Sequence, residues 1–159
     1  MKIAVLTKAI PSYESSIRVD SSGSWIDESI VNYVVNESDS YALEEALQIK
    51  ESSGEDSEVV VVTLGSENNT SKVIKDGLAK GADRGIFIKN EFSTTDPLTV
   101  AKIFADNLKS ENFDLILSGL QSDDMGSGQT GVLIGELLEM STATLAIETQ
   151  VEGDKIKVK

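Results

Sequence analysis

The chain has 159 residues, 40% hydrophobic and 26% charged, with a formal net charge of -13 and neither cysteine nor histidine. One soluble domain fits that length and composition. The missing residues exclude disulfides, thiolate metal sites, thiol nucleophiles, serine–histidine or zinc hydrolysis, and haem ligation by histidine. Such acidity repels a polyanion such as DNA over most of the surface. No apolar run approaches the ~18 residues of a membrane span, and the opening MKIAVL is too short for a signal peptide, so a cytoplasmic protein is expected. Arg18 and Arg84 are the only arginines, so no guanidinium cluster can clamp several phosphates. A small nucleotide could still be held by backbone N–H groups and a helix N-terminus.

In chain order, Lys2–Thr7 reads as a first strand. Residues 8–37 contain no convincing helix; Ile17–Asp20 and Trp25–Asp27, around Ser21-Ser22-Gly23-Ser24, read as a hairpin. A long excursion at the carboxyl end of a strand is usually functional, because ligands bind there in open α/β sheets. Ser38 or Asp39 can cap a helix to about Ser52, with Ala42, Leu43, Ala46 and Leu47 on one face. The β-branched run Glu58–Leu64 predicts a buried parallel strand. Thr70 or Ser71 opens the next helix, which Gly81 closes. Gly85–Lys89 is a third strand, Asp96-Pro97 starts a helix over Leu98–Leu108, and Phe113–Ser118 is a fourth strand. A helix is expected over about Gln129–Glu139, a fifth strand over Thr142–Thr149, and another over Lys155–Lys159 after the turn Glu152-Gly153-Asp154. The alternation predicts a Rossmann-like α/β domain: an open parallel sheet with helices on both faces.

The segment Ser118–Gly131, SGLQSDDMGSGQTG, carries the most chemical information. It follows a strand, opens a helix, and is rich in glycine and small polar residues. Glycine lets the backbone approach a ligand, and the first helical turn offers free N–H groups to a phosphate. Gln129 and Thr130 add side-chain donors there. A plain βα loop would also explain the glycines, but ordering so polar a stretch costs entropy. Gly126-x-Gly128-x-x-Gly131 matches the dinucleotide fingerprint only formally: it follows the fourth strand, and no tight turn connects it. No Gly-Lys-Ser/Thr follows, so it is not a Walker loop. Asp123-Asp124 is better read as solvated or capping carboxylates than as a magnesium site.

The pattern LxGxQSDD…GQTG resembles the nucleotide loop of electron transfer flavoprotein beta subunits. Three further segments agree in order and spacing: Lys2–Pro11 (KIAVLTKAIP), Asn36–Leu47 (NESDSYALEEAL) and Leu78–Arg84 (LAKGADR). The resemblance covers essentially the whole chain. It implies an adenine nucleotide alpha-hydrolase-like fold: a single nucleotide-binding domain over 1–159, without the family's C-terminal segment. It further implies a bound structural AMP, or FAD in the electron-bifurcating group. The implied partner is an alpha subunit that carries the redox FAD, with acyl-CoA or other dehydrogenases as donors and no bond-breaking chemistry in this chain. By position, Leu6, Asn36, Ser38, Asp39, Leu64, Gly119, Ser122, Gly128, Gln129 and Thr130 fall where the family contacts its nucleotide. Gln121, Gly126 and Ser127 complete the loop set, and Lys8 lies close as a point charge. Backbone groups of Leu6 and Leu64 would meet the adenine, although both also suit a core; Asn36 and Asp39 could equally cap the helix. Glu37 stands where the family often has proline, and Gly128 where many members have asparagine or alanine.

Two other classes share the superfold. A universal-stress-type sensor also binds adenine nucleotide through a late glycine-rich loop, but lacks the Asn36–Leu47 signature. An adenylate-forming hydrolase needs a pyrophosphate loop after the first strand, and Lys8-Ala9-Ile10-Pro11-Ser12 has no serine–glycine run.

Overall fold

The structure is a computed structural model that describes residues 1–53, 56–90 and 96–159. In chain order the elements are β1 (Lys2–Thr7), β2 (Ala9–Pro11), β3 (Tyr33–Val35), α1 (Glu37–Ser53), β4 (Glu58–Gly65), α2 (Glu67–Lys80), β5 (Arg84–Lys89), α3 (Pro97–Leu108), β6 (Leu115–Ser118), α4 (Thr130–Leu137), β7 (Thr149–Glu152) and β8 (Lys155–Val158). Four strands form a parallel sheet in the order β5-β4-β1-β6. The central strands β1 and β4 are nearly continuous apolar runs because helices cover both faces. On one face Ile3, Val5, Val59 and Val61 pack against Leu43, Ala46 and Ile49 of α1. On the other, Ala4, Leu6, Val60 and Val62 meet Ala101, Phe104 and Leu108 of α3 and Ile134 of α4. The alternating side chains of one strand thus build two cores. The open Rossmann-like architecture is as expected.

Element ends shift for identifiable reasons. The second helix begins at Glu67 with Ser66 at its cap, not at Thr70 or Ser71. Thr70 is buried and bonds back to the Ser66 carbonyl at 2.6 Å, so it lies inside the first turn. Gly81 closes that helix at φ 121°, and Asp96 caps α3 by accepting from Thr99 N–H, both as predicted. The fourth strand starts at Leu115, since Asp114 turns to accept the Lys2 N–H. The last helix is shorter than expected and ends at Leu137. The strand expected over Thr142–Thr149 is a correction: residues 142–148 are not strand, and β7 begins at Thr149 and pairs with β8, with Ile147 and Glu148 bonded to Lys159 just before it. An apolar composition misleads there, because Leu145 and Ile147 are exposed rather than packed.

The excursion folds back on itself. β2 and β3 pair antiparallel, an arrangement that the sequence pattern does not announce. The predicted hairpin is one bridge, Val19 to Ile26, with Asp20 N–H donating to Trp25 O and Asp27 N–H to Arg18 O. A short 3-10 turn follows at Glu28–Ile30. Glu28 accepts from the Trp25 indole N–H at 2.9 Å and from Asn69 of α2 at 2.9 Å, which ties the excursion to that helix.

The amino ends of the strands are held by charge. Glu111 accepts from Arg84 at 2.7 Å and Lys2 at 2.9 Å, and Arg84 also meets Glu58 at 3.1 Å. Asp83 accepts from Val59 N–H and Lys50. Arg84, then Lys2, pull the Glu111 carboxyl down to about 2 from 4.5. A depressed folded pKa gives stability that is present above about 4.5 and is lost as the pH falls towards 2. Glu111→Gln should therefore be less stable at neutral pH and lose less stability on acidification; urea unfolding at pH 7 and pH 3 would measure both.

Candidate functional site

The strand order reverses between β1 and β6: β1 leads through α1 to β4 on one side, and β5 through α3 to β6 on the other. Carboxyl ends of strands diverge at such a point and open a crevice. One side chain bridges it. Asp39, in the first turn of α1, accepts the Lys8 N–H at 2.8 Å through Oδ2 and the Gly119 N–H at 3.1 Å through Oδ1. Lys8 directly follows β1 and Gly119 directly follows β6. Asp39 is only 7% exposed, so the two bonds form away from bulk water.

Asn36 works beside it. Its backbone carbonyl starts α1 by accepting from Asp39 and Ser40. Its buried side chain reaches the 118–131 loop: Oδ1 accepts Asp123 N–H at 3.0 Å, and Nδ2 donates to Gln121 O and Ser38 Oγ, both at 2.9 Å. Ser38 Oγ donates to the same Gln121 carbonyl at 2.8 Å. Only glycine allows this approach at 119, since a Cβ there would run into Asp39 Oδ1 and Ser38 Oγ and lie 2.7 Å from Asp39 N. Local sequence explains the arrangement: Asn, Ser and Asp at a helix start have short polar side chains that reach neighbouring backbone.

The structure thus gathers Lys8, Asn36, Ser38, Asp39, Gly119, Gln121 and Ser122 at one crevice. Leu6 is buried in the α3 face core, and Leu64 packs partly against it, so their side chains are core while their backbones reach the carboxyl edge. Gly126, Ser127, Gly128, Gln129 and Thr130 run along the loop into α4. The N–H groups of Thr130, Gly131 and Val132 meet no acceptor among the described residues, and Gln129 makes no side-chain cap. Lys8 is not a free charge: its Nζ lies 2.6 and 2.8 Å from the Asp124 carboxylate oxygens. Among the described residues, no cluster of three or more acidic residues is placed to hold a metal, and no helix is long and apolar enough to cross a membrane.

Buried hydroxyls without a partner include Ser122, which the sequence already offers, and add Thr63 and Ser66, which it does not single out. Among the described residues they are Thr63 Oγ1, Ser66 Oγ and Ser122 Oγ. Thr63 ends the valine run of β4, Ser66 follows that strand, and Ser122 sits after β6. All three lie at the carboxyl edge of the sheet. Unsatisfied buried polar groups are rare in folded proteins, so each of the three calls for a partner. The signal in the sequence is the break from Val59–Val62 to Thr63-Leu64-Gly65-Ser66.

The mouth of the crevice is acidic. Burial, with Glu28 and Asp124 nearby, pushes the Tyr33 phenol up to about 12. Glu37 accepts from the Tyr41 hydroxyl at 2.9 Å.

Residues 24–159 match the family model described as electron transfer flavoprotein domain. The chain is 42% identical, over 99% of its length, to a protein of Bradyrhizobium diazoefficiens named electron transfer flavoprotein subunit beta, and covers 62% of that protein. It is 34% identical over 97% of its length to the protein of that name from Methylophilus methylotrophus, covering 59% of it. It is also 37% identical over 98% of its length to a mitochondrial one from Arabidopsis thaliana, covering 61% of it. The chain thus spans about three fifths of these relatives' length.

Asp39 gives the crevice a titration signature. Burial pushes its carboxyl up to about 6, against the N–H groups of Lys8 and Gly119, which favour the charged form. Between about pH 4 and 6 the folded state binds more protons than the unfolded state, so this group makes stability fall as pH rises through that window. Asp39→Asn should remove that falling limb while lowering stability overall, because the amide NH2 faces a second donor. Thermal unfolding from pH 4 to 7 would show whether the limb disappears.

Proposed function

This chain belongs to the electron transfer flavoprotein domain family, and from that premise we propose that it is the nucleotide-binding part of a beta subunit that holds AMP structurally. In the same proposal it pairs with an alpha subunit, works in the cytoplasm, and passes electrons from acyl-CoA or other dehydrogenases to an acceptor. It does so without bond-breaking chemistry of its own. FAD, carried mainly by the alpha subunit, supplies the redox chemistry in such a pair.

The observation that carries the reading is the coincidence of unpartnered groups at one edge. The buried hydroxyls of Thr63, Ser66 and Ser122 share the carboxyl edge with the unpaired N–H groups that open α4. These groups are short of acceptors and hydroxyl partners, which a ribose phosphate supplies. In this assignment Gln129 and Thr130, with the α4 N–H groups, hold the phosphate. The strand-end backbones of Leu6 and Leu64 border the adenine. Gly126, Ser127 and Gly128 keep the loop small enough for close approach.

Charge favours a monophosphate over a triphosphate. Lys8 is the cation at the loop and Asp124 already neutralises it, while Asp123 adds a negative charge. A triphosphate would bring about three or four negative charges to an acidic mouth, at a Coulomb cost that water only partly screens. This argues against the ATP-sensor reading of the same superfold.

Denaturing the purified protein and identifying the released nucleotide by absorbance and mass tests the proposal. AMP is expected. FAD would move the chain to the bifurcating group, and ATP would favour the sensor. Gln129→Asp would set a carboxylate against the phosphate and should weaken AMP binding at least about tenfold, or about 1.4 kcal/mol. Unchanged affinity in calorimetry would remove the phosphate from α4.

A further inference from the structure

We infer that Asn36 and Asp39 are positioning residues, which brace the 118–131 loop from the first turn of α1 and act on a nucleotide only through that loop. The inference rests on the nucleotide reading above. By resemblance both positions fall where the family contacts its nucleotide; here their side chains face the loop.

Atom accounting carries it. Asp39 has two carboxylate oxygens, and each accepts a backbone N–H, from Lys8 and from Gly119. Asn36 spends both amide hydrogens, on Ser38 Oγ and Gln121 O, and its oxygen on Asp123 N–H. The two residues, Asp39 and Asn36, are 7% and 1% exposed. Every side-chain donor they own is used inside the protein, and their acceptor oxygens are engaged and enclosed. A ligand would have to displace bonds to reach the Asn36 amide hydrogens, and burial screens the oxygens from it.

A brace is needed because the loop is poor at holding itself. Within it, Gly126 N–H donates to Ser122 O at 2.7 Å, and most of its residues are exposed. Fixing a residue costs about 1–2 kcal/mol of backbone entropy. Bonds at 119, 121 and 123 meet that cost during folding, so ligand binding need not. The same bonds connect the loop to the excursion: Asn36 N–H donates to Lys8 O at 3.0 Å, and Lys8 Nζ holds Asp124. The two segments that flank the crevice therefore share one set of fasteners.

The test combines hydrogen–deuterium exchange with AMP calorimetry on the full chain. In Asp39→Asn, the Gly119 and Asp123 amides should exchange at least about tenfold faster and AMP affinity should fall at least about tenfold. Exchange at Val60 and Val62 in the sheet should stay slow. Glu111→Gln, at the opposite end of the sheet, should lower stability and leave AMP affinity intact. If Asp39→Asn does not fold, Gly119→Ala pries the loop from α1 with both brace side chains present and should give the same two changes. Loop amides that exchange as before, or AMP affinity unchanged with the loop loosened, would overturn the brace. If the unaltered protein takes no AMP, the nucleotide reading fails by itself, and exchange at 119 and 123 still decides the brace.

Discussion

A single carboxylate, Asp39, accepts one N–H from the residue after β1 and one from the residue after β6. Parallel strands on either side of a reversal in order have no hydrogen bonds beyond their ends, so the chain must supply a connection there. It does so from the start of α1. That choice has two consequences. The helix start is fixed relative to both strands, and the loop after β6 inherits a defined exit. The rest of the crevice follows: Asn36 seats Gln121 and Asp123, and Ser38 doubles the hold on Gln121.

The two ends of the sheet do different work with the same residue types. At the amino end, Lys2, Arg84, Glu58 and Glu111 form solvent-accessible ion pairs, and the result is stability. At the carboxyl end, carboxylate and amide groups face backbone N–H groups in a drier setting, and hydroxyls are left without partners. Ion pairs at a surface contribute little individually, whereas an unsatisfied buried hydroxyl destabilises the fold. The proposed nucleotide would meet these groups at that edge.

Much of this was legible in the sequence. The valine run of β4 reads as a buried parallel strand and the apolar β1 as the first strand, and both are strands of the covered sheet. Gly81 and the Asp96-Pro97 pair marked helix ends through local chemistry that tertiary context does not change. The loop Ser118–Gly131 stood out by composition. What could not be read was where side chains go after the chain folds. Asn36 and Asp39 looked like helix caps or ligand contacts, but their partners in the loop lie about 80 residues away in sequence. Lys8 reads as a point charge near the site, and its pairing with Asp124 is visible only in the fold. The apolar stretch over Thr142–Thr149 has strand-like composition, but its backbone meets a neighbour only from Ile147 on, because pairing is a property of the assembled sheet.

Trp25 is the chain's single tryptophan. Its indole is bonded to Glu28, whose other oxygen holds Asn69 at the start of α2. The molecule therefore carries one indole fluorophore, and it sits on the excursion rather than in either core. Tryptophan emission from this protein reports the seating of the excursion on α2, beside the crevice. A change in that signal can precede loss of the sheet, so fluorescence and far-ultraviolet circular dichroism will follow two different events in the same sample.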